Sequence, residues 1–168
     1  SRESILRGRM LHVGQMLFET PRLWNRSADW LQSHIANVIG MDLFKEALIS
    51  NKGTVLLVPH QGNWEVVGLW IAKQTAITSL YEPPKLKDLE DWIKTSRQKS
   101  GATLVPTNSR GVAALLQALK RGETIGILPD QQPPANAGTF APLFEKPAMT
   151  MTLVHKLLQR CDANVLFC

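Results

Sequence analysis

Short apolar runs alternate with segments of helical periodicity from residue 54 to residue 128, and this alternation constrains the fold more than any other feature of the sequence. The first run, residues 54–59, is rich in Val and Leu and follows Asn51-Lys52-Gly53, which is typical of a buried strand entered from a turn. Alternating strands and helices predict an α/β domain whose largely parallel sheet is covered by helices. The patterns place strands at 54–59, 76–80, 103–105 and 124–128, and helices at 64–73, 86–100 and 111–120.

Three helices are predicted ahead of the alternating region. The first covers residues 4–26, is broken at Pro21, and carries arginines among its apolar residues. Two interpretations of this helix remain open: it lies on a membrane surface, or it faces the core and leaves its basic side solvated. The second helix covers residues 28–39 and stops at Gly40, and Asp42 caps the third.

The net charge indicates which classes of partner the chain can bind, and the cysteines indicate its compartment. Nineteen Lys and Arg residues against 14 Asp and Glu residues give a net charge of +5, which favours an anionic lipid, a nucleic acid or an acidic protein as partner. Nucleic acid fits poorly, because the basic residues are not interleaved with aromatic ones and no nucleic-acid-binding signature is present. Cys161 and Cys168 form neither a disulfide framework nor a zinc motif, which favours a reducing compartment.

The length indicates one domain with a substantial core, covering residues 1–168. No apolar run is long enough to cross a bilayer. The sequence begins Ser1-Arg2-Glu3 without a signal-peptide pattern and stops inside an apolar run at 164–168. We therefore expect this domain to be part of a longer protein.

The first predicted strand leads into His60-Gln61-Gly62-Asn63-Trp64-Glu65. His60 is expected at the carboxyl end of that strand, the edge where open α/β sheets bind ligands, and can there take a proton from a hydroxyl group near neutral pH. Gly62 would let the chain bend so that Glu65 bonds one ring nitrogen, and Asn63 would cap the helix. No serine accompanies the pair, so the nucleophile would come from the substrate. The alternative is structural, with His60 bonded to a carbonyl and Glu65 facing the helix dipole.

Asp130 follows the strand at 124–128 as His60 follows the first strand, so both should face one crevice. It could orient a substrate, hold an arginine, or only cap the turn that contains Gln131. The segment from 85 to 121 is strongly basic, and Arg97 and Arg110 are its best candidates for binding phosphate groups.

Residues 131–148 are rich in Pro and Gly and are predicted to form a long loop, followed by a helix to about Arg160. Phe140, Leu143 and Phe144 could wall a channel for an acyl chain or fold back onto the core.

Motifs for several other chemistries are absent from the sequence. It has no nucleophile elbow, no phosphate-binding Gly-rich loop and no His-Glu-x-x-His zinc pair. His12, His34 and His155 lie in helical patterns and are expected to be packing or surface residues. Neither a metal ion nor a cofactor is therefore predicted.

The motif from His60 to Glu65 resembles the His-x4-Asp/Glu signature of the glycerolipid acyltransferases, and more closely the lauroyl and myristoyl transferases that add late acyl chains to lipid A. The resemblance covers about Trp30 to Cys168. Glu145 departs from it, because relatives often carry glycine there. Further matches occur in the same order at Tyr81 with Pro83-Pro84, Arg97, Arg110-Gly111, Gly122, Asp130-Gln131, 138–144 and Ala148-Met149-Thr150.

The resemblance implies an acyltransferase in which His60, oriented by Glu65, activates a hydroxyl group of a lipid A precursor. It implies acyl carrier protein as the acyl donor and the cytoplasmic face of a bacterial inner membrane as the location. It also implies an N-terminal membrane anchor and further sheet outside this sequence. Substrate-binding roles are implied for Gly62, Asn63, Tyr81, Arg97, Arg110, Asp130 and Gln131.

Two other interpretations remain open. One is an acyltransferase that acts on a lysophospholipid or another glycolipid with the same catalytic pair. The other is a hydrolase or lipid-binding domain in which His60 and Glu65 are structural or bind a metal ion.

Overall fold

The computed structural model describes residues 2–168 and confirms an α/β architecture with a five-stranded parallel sheet. The strand order is β3-β2-β4-β1-β7, and an antiparallel hairpin of β5 and β6 lies outside the sheet. The helices are α1 Arg2–Trp24, α2 Ala28–His34, α3 Met41–Ile49, α4 Trp64–Gln74, α5 Glu90–Gln98, α6 Ser109–Lys120 and α7 Leu153–Leu158. The strands are β1 Gly53–Leu57, β2 Ile77–Tyr81, β3 Thr103–Pro106, β4 Thr124–Ile127, β5 Gly138–Leu143, β6 Lys146–Met151 and β7 Ala163–Phe167.

Helices cover both faces of the sheet, so the central strands β1 and β4 are buried on both sides and consist of nearly continuous apolar residues. On one face Val55 and Ile125 pack with Leu115 of α6 and Leu157 of α7. On the other face a second cluster joins the sheet to α3 and α4. That cluster consists of Phe44, Leu56, Val58, Ile71 and Ile77. The two clusters fix the sheet between its helices and hold the strand ends in place.

The carboxyl ends of β1 to β4 meet at one edge of the sheet, because these strands are parallel. β1 pairs with β4 in register from Thr54 opposite Thr124 to Leu57 opposite Ile127. The turns that follow these two strands therefore lie side by side. His60 follows β1 and Asp130 follows β4, so both residues lie at the edge where a shared crevice is predicted.

The first helix differs from the prediction in two respects. It runs through Pro21 to Trp24 without a break. Pro21 lies in the last turn, so the disturbance that proline causes affects few helical hydrogen bonds. Several apolar side chains of α1 between Ile5 and Phe18 are exposed to solvent, with 86% of Phe18 and 72% of Met10 accessible. The interpretation that this segment of the helix faces the core is therefore wrong. No helix among residues 2–168 is long and apolar enough to cross a membrane.

The next two helices begin and end elsewhere than predicted. α2 ends at His34 rather than at residue 39, and Ile39 is 94% exposed. Its predicted continuation contains β-branched residues, which lose side-chain freedom in a helix. Gly40, with φ of 76°, is the N-cap of α3, and Asp42 lies inside its first turn rather than at the cap.

The long loop predicted over residues 131–148 is wrong from Gly138 onward, where β5 begins. β5 and β6 pair in antiparallel register from Gly138 opposite Met151 to Leu143 opposite Lys146. Phe144 and Glu145 form the turn, with φ of 48° and 63°. The following helix, α7, is also shorter than predicted and begins only at Leu153.

Candidate active site

His60 and Asp130 form a hydrogen-bonded pair at the sheet edge. Nδ1 of His60 lies 2.9 Å from Oδ1 of Asp130, and the backbone N–H of His60 donates to Oδ2 at 2.8 Å. Burial acts to raise the pKa of Asp130, but the hydrogen bonds from the His60 ring and backbone outweigh it and hold the pKa below its usual value. Asp130 is therefore ionised near neutral pH, and its Oδ1 accepts a hydrogen bond from Nδ1–H of the imidazole.

This geometry leaves Nε2 of His60 as the basic nitrogen. The side-chain amide of Gln131 lies 3.2 Å from Nε2, which matches an amide N–H that donates to the ring lone pair. The His60 side chain is 30% exposed, so a small molecule can approach the ring. The ring of Trp64 meets the imidazole edge-on at 5.3 Å between centroids and limits its movement.

Glu65 has a different partner from the one predicted. Its carboxylate accepts from Nη2 of Arg97 at 2.6 Å and from Nε of Arg97 at 3.1 Å, and Nε1 of Trp24 lies 3.4 Å away. The prediction that Glu65 bonds a ring nitrogen of His60 is therefore wrong. Glu65 lies in the first turn of α4 and its carboxylate bonds Arg97 of α5, whereas Asp130 reaches His60 from the turn after the neighbouring strand β4.

Arg97 lies at the centre of an aromatic cluster. Its guanidinium carbon is 5.2 Å from the ring centroid of Trp64, 5.7 Å from that of Tyr81 and 5.8 Å from that of Trp24. These distances are typical of cation–π contacts. Because Trp64 contacts both Arg97 and His60, the Glu65–Arg97 ion pair supports the wall of the site beside the imidazole.

The other four predicted site residues do not line the cavity described below, and three of them lie in the turn after His60 or beside Arg97. Gly62 has φ of 58°, which glycine adopts without strain, in the turn after His60. The Asn63 amide donates to Glu19 of α1 at 3.0 Å, so this residue joins the turn to the first helix. Tyr81 is buried beside Arg97, and its pKa is raised mainly by burial. Arg110 is exposed in the first turn of α6 and does not line the cavity described next.

A cavity of about 390 Å³ lies beside His60 and Gln131. Its volume lies in the range of small-molecule binding sites. His60, Glu82 and Gln131 line the cavity at the carboxyl edge of the sheet, and Glu82 and Gln131 are exposed, so we take this end as its mouth. Ile77 and Ala102 line it near the amino ends of β2 and β3. Most of its lining is apolar, and Leu56, Val67 and Leu104 are examples.

Phe140, Leu143 and Phe144 belong neither to the cavity nor to the core. All three are exposed, Phe144 at 90%. Both interpretations of these residues are therefore wrong, because they lie on the hairpin that replaces the predicted loop. His12, His34 and His155 are exposed, as expected for surface residues.

Some residues of the site carried no recognisable signal in the sequence. Trp24 reaches Glu65 from α1, 41 residues away, and no local pattern links them. Trp64 stands inside the His60–Glu65 motif, but its contact with the imidazole depends on how the turn folds. Among residues 2–168, no group of three or more His, Cys, Asp or Glu side chains is arranged to hold a metal ion.

Comparisons with known proteins agree on one family. The sequence model described as bacterial lipid A biosynthesis acyltransferase matches residues 1–168. The chain is 28% identical to the lipid A biosynthesis palmitoleoyltransferase of Escherichia coli over 149 residues, which is 85% of this chain and 46% of that protein. It is 26% identical to a lipid A biosynthesis acyltransferase of Haemophilus influenzae over 167 residues, which is 98% of this chain and 52% of that protein.

The name of a third relative specifies a lipid other than lipid A. The phosphatidylinositol mannoside acyltransferase of Mycobacterium tuberculosis H37Rv is 29% identical over 92 residues, which is 54% of this chain and 28% of that protein. The chain spans about half the length of the lipid A relatives that it matches.

Proposed function

The chain belongs to the bacterial lipid A biosynthesis acyltransferase family, and we propose that it transfers a fatty acyl chain from a thioester to a hydroxyl group of a lipid A precursor. The observation that carries this proposal is the His60–Asp130 pair at the mouth of an apolar cavity. A base that is fixed by a carboxylate beside a space for an aliphatic chain is what acyl transfer to a hydroxyl group requires.

His60 acts as the general base. The substrate hydroxyl group replaces the Gln131 amide at Nε2, and His60 takes its proton as the oxygen attacks the thioester carbonyl carbon. A carbon–oxygen bond forms, and the carbonyl oxygen becomes an oxyanion. When this intermediate collapses, the carbon–sulfur bond breaks, and the departing sulfur takes the proton from Nε2. The ester product is released without a covalent bond to the enzyme.

Asp130 keeps the imidazole in the tautomer with its proton on Nδ1 and stabilises the imidazolium ion. This role replaces the one first expected for Glu65. The guanidinium group of Arg97 is bonded to Glu65, so the amide of Gln131, 3.2 Å from the base, is the better placed donor to the oxyanion.

The acyl donor that we propose is an acyl carrier protein thioester. Carrier proteins of this kind are acidic, and the net charge of +5 favours their approach. The acceptor that we propose is a lipid, and we propose that the reaction takes place at the cytoplasmic face of a bacterial inner membrane. The exposed apolar side chains of α1 and its arginines support contact with an anionic membrane surface.

Transfer from acyl carrier protein thioesters to a lipid A precursor tests the proposal with the full-length protein. We expect His60→Ala to reduce kcat by about 100- to 10,000-fold, in line with the loss of a general base. His155→Ala, at an exposed histidine of α7, is the matched control and should keep the wild-type rate. Equal rates for the wild type and the His60→Ala protein would contradict the mechanism.

A second acceptor class is supported by the mycobacterial relative, whose name specifies a phosphatidylinositol mannoside. A glycolipid of that type would use the same base and the same cavity. Offering the lipid A precursor, a mannosylated phosphatidylinositol and a lysophospholipid in parallel separates the candidates, because only the true acceptor gains an ester-linked chain.

A further inference from the structure

Gly68 lies in the middle of α4 and lines the cavity. Glycine destabilises a helix interior relative to alanine, so its presence there needs a reason. Close packing is not the reason, because a β-carbon on Gly68 would meet no atom within 4 Å. Gly111 shows the contrast, since a β-carbon there would lie 1.8 Å from the carbonyl oxygen of Pro106.

The opposite wall of the cavity also carries a glycine. Gly126 of β4 pairs with Leu56 of β1 and with Ser79 of β2. A β-carbon on Gly126 would lie 2.7 Å from Oγ of Ser79. Side chains of β2 therefore occupy the space in front of Gly126, whereas the space in front of Gly68 is free.

Gly68 stands part of the way down the cavity. α4 connects two parallel strands, so it runs from the sheet edge that carries His60 back towards the edge where Ile77 begins β2. Gly68 is four residues after Trp64, which corresponds to about 6 Å along the helix axis. A chain that enters beside His60 must pass Gly68 before it reaches Ile77.

We propose that Gly68 determines which acyl chain lengths the enzyme accepts, by keeping the deeper part of the cavity open. The inference rests on the proposed acyl transfer and adds a residue that controls specificity. A larger side chain at position 68 would project into the free space and close the cavity below the mouth. Donors with short chains would still react, whereas long chains would not fit.

The test uses the full-length protein with Gly68→Ala, Gly68→Val and Gly68→Leu, offered acyl carrier protein thioesters from octanoyl to hexadecanoyl. We expect Gly68→Leu to reduce kcat/KM for the long donors by about tenfold or more and to leave the shortest donors nearly unaffected. The cut-off should move to shorter donors as the side chain grows. Gly14→Leu is the control, since Gly14 lies on α1, also faces open space, and does not line the cavity; its ratio of long-donor to short-donor rates should match the wild type.

Gly68→Ala shows whether a side chain at this position by itself impairs folding. It should raise the Tm by about 2 to 4 °C, because alanine favours the helix and meets no atom. An equal loss for all donors in a folded Gly68→Leu protein, or an unchanged length profile, would overturn the inference while leaving the acyl transfer intact. A wild-type protein that transfers no acyl chain from any donor would overturn the proposed function and this inference with it.

Discussion

Asp130 holds His60 at two points, with one carboxylate oxygen 2.9 Å from Nδ1 of the ring and the other 2.8 Å from the backbone nitrogen. The second bond fixes the turn that carries His60, and the first fixes the ring and its tautomer. One carboxylate therefore fixes both the position and the tautomer of the imidazole.

Asp130→Asn should reduce kcat by about 100- to 10,000-fold, because an amide can hold the wrong tautomer and does not stabilise the imidazolium ion. KM should change little, since Asp130 acts on His60 rather than on the substrate in our mechanism. Steady-state kinetics with the lipid acceptor measures both quantities. Asp162→Asn is the control at an exposed aspartate whose partner is Lys52, and its kinetics should match the wild type. An Asp130→Asn enzyme with full kcat would remove Asp130 from the mechanism.

The lowered pKa of Asp130 predicts a stability contribution that depends on pH. A carboxyl group whose pKa is lower in the folded state stabilises the fold above its unfolded pKa, which is about 3.9 for aspartate. That contribution is lost as the pH falls through the folded-state pKa. The difference in unfolding free energy between the wild type and Asp130→Asn should therefore shrink on acidification below about pH 4, as urea denaturation at a series of pH values will measure. A difference that stays constant over this range would contradict the assignment.

The alternation of strands and helices was predictable because periodicity is a local property. β1, β2, β3 and β4 lie within a residue or two of the predicted strands, and His60 stands at the predicted sheet edge. The pairing of that histidine was predicted wrongly. Glu65 was the nearest carboxylate in sequence, whereas the true partner, Asp130, is 70 residues away and reaches His60 only because β1 and β4 are neighbours in the sheet.

The hairpin of β5 and β6 was missed for a related reason. Its strands expose most of their side chains, so no clear alternation of buried and exposed residues marks them. The two turn residues, Phe144 and Glu145, lack the Asn-Gly or Asp-Gly pattern that usually identifies a two-residue hairpin turn. Likewise, the contact between Trp24 and Glu65 depends on where α1 docks, which local sequence does not determine.

Glu145→Gly should stabilise the protein by up to about 1 kcal/mol. Glu145 has φ of 63°, a left-handed conformation that costs a non-glycine residue about 1 to 2 kcal/mol and that glycine adopts freely. Part of the gain is offset because glycine makes the unfolded chain more flexible. Urea denaturation measures the change, and Glu145→Ala should show no comparable gain because alanine keeps the strain. Destabilisation by Glu145→Gly would mean that the glutamate side chain itself stabilises the turn.

Arg97→Met should destabilise the protein by about 3 to 5 kcal/mol, because it leaves the carboxylate of Glu65 buried without its cation. The Glu65→Leu, Arg97→Met double variant removes both charges and should recover much of that loss, since a methionine still packs among Trp24, Trp64 and Tyr81. Denaturant unfolding of the wild type, both single variants and the double variant gives the coupling energy directly. If the pair supports the site only through Trp64, the double variant should also keep measurable acyl transfer, whereas complete inactivity of a stable double variant would show that one of these charges takes part in the reaction.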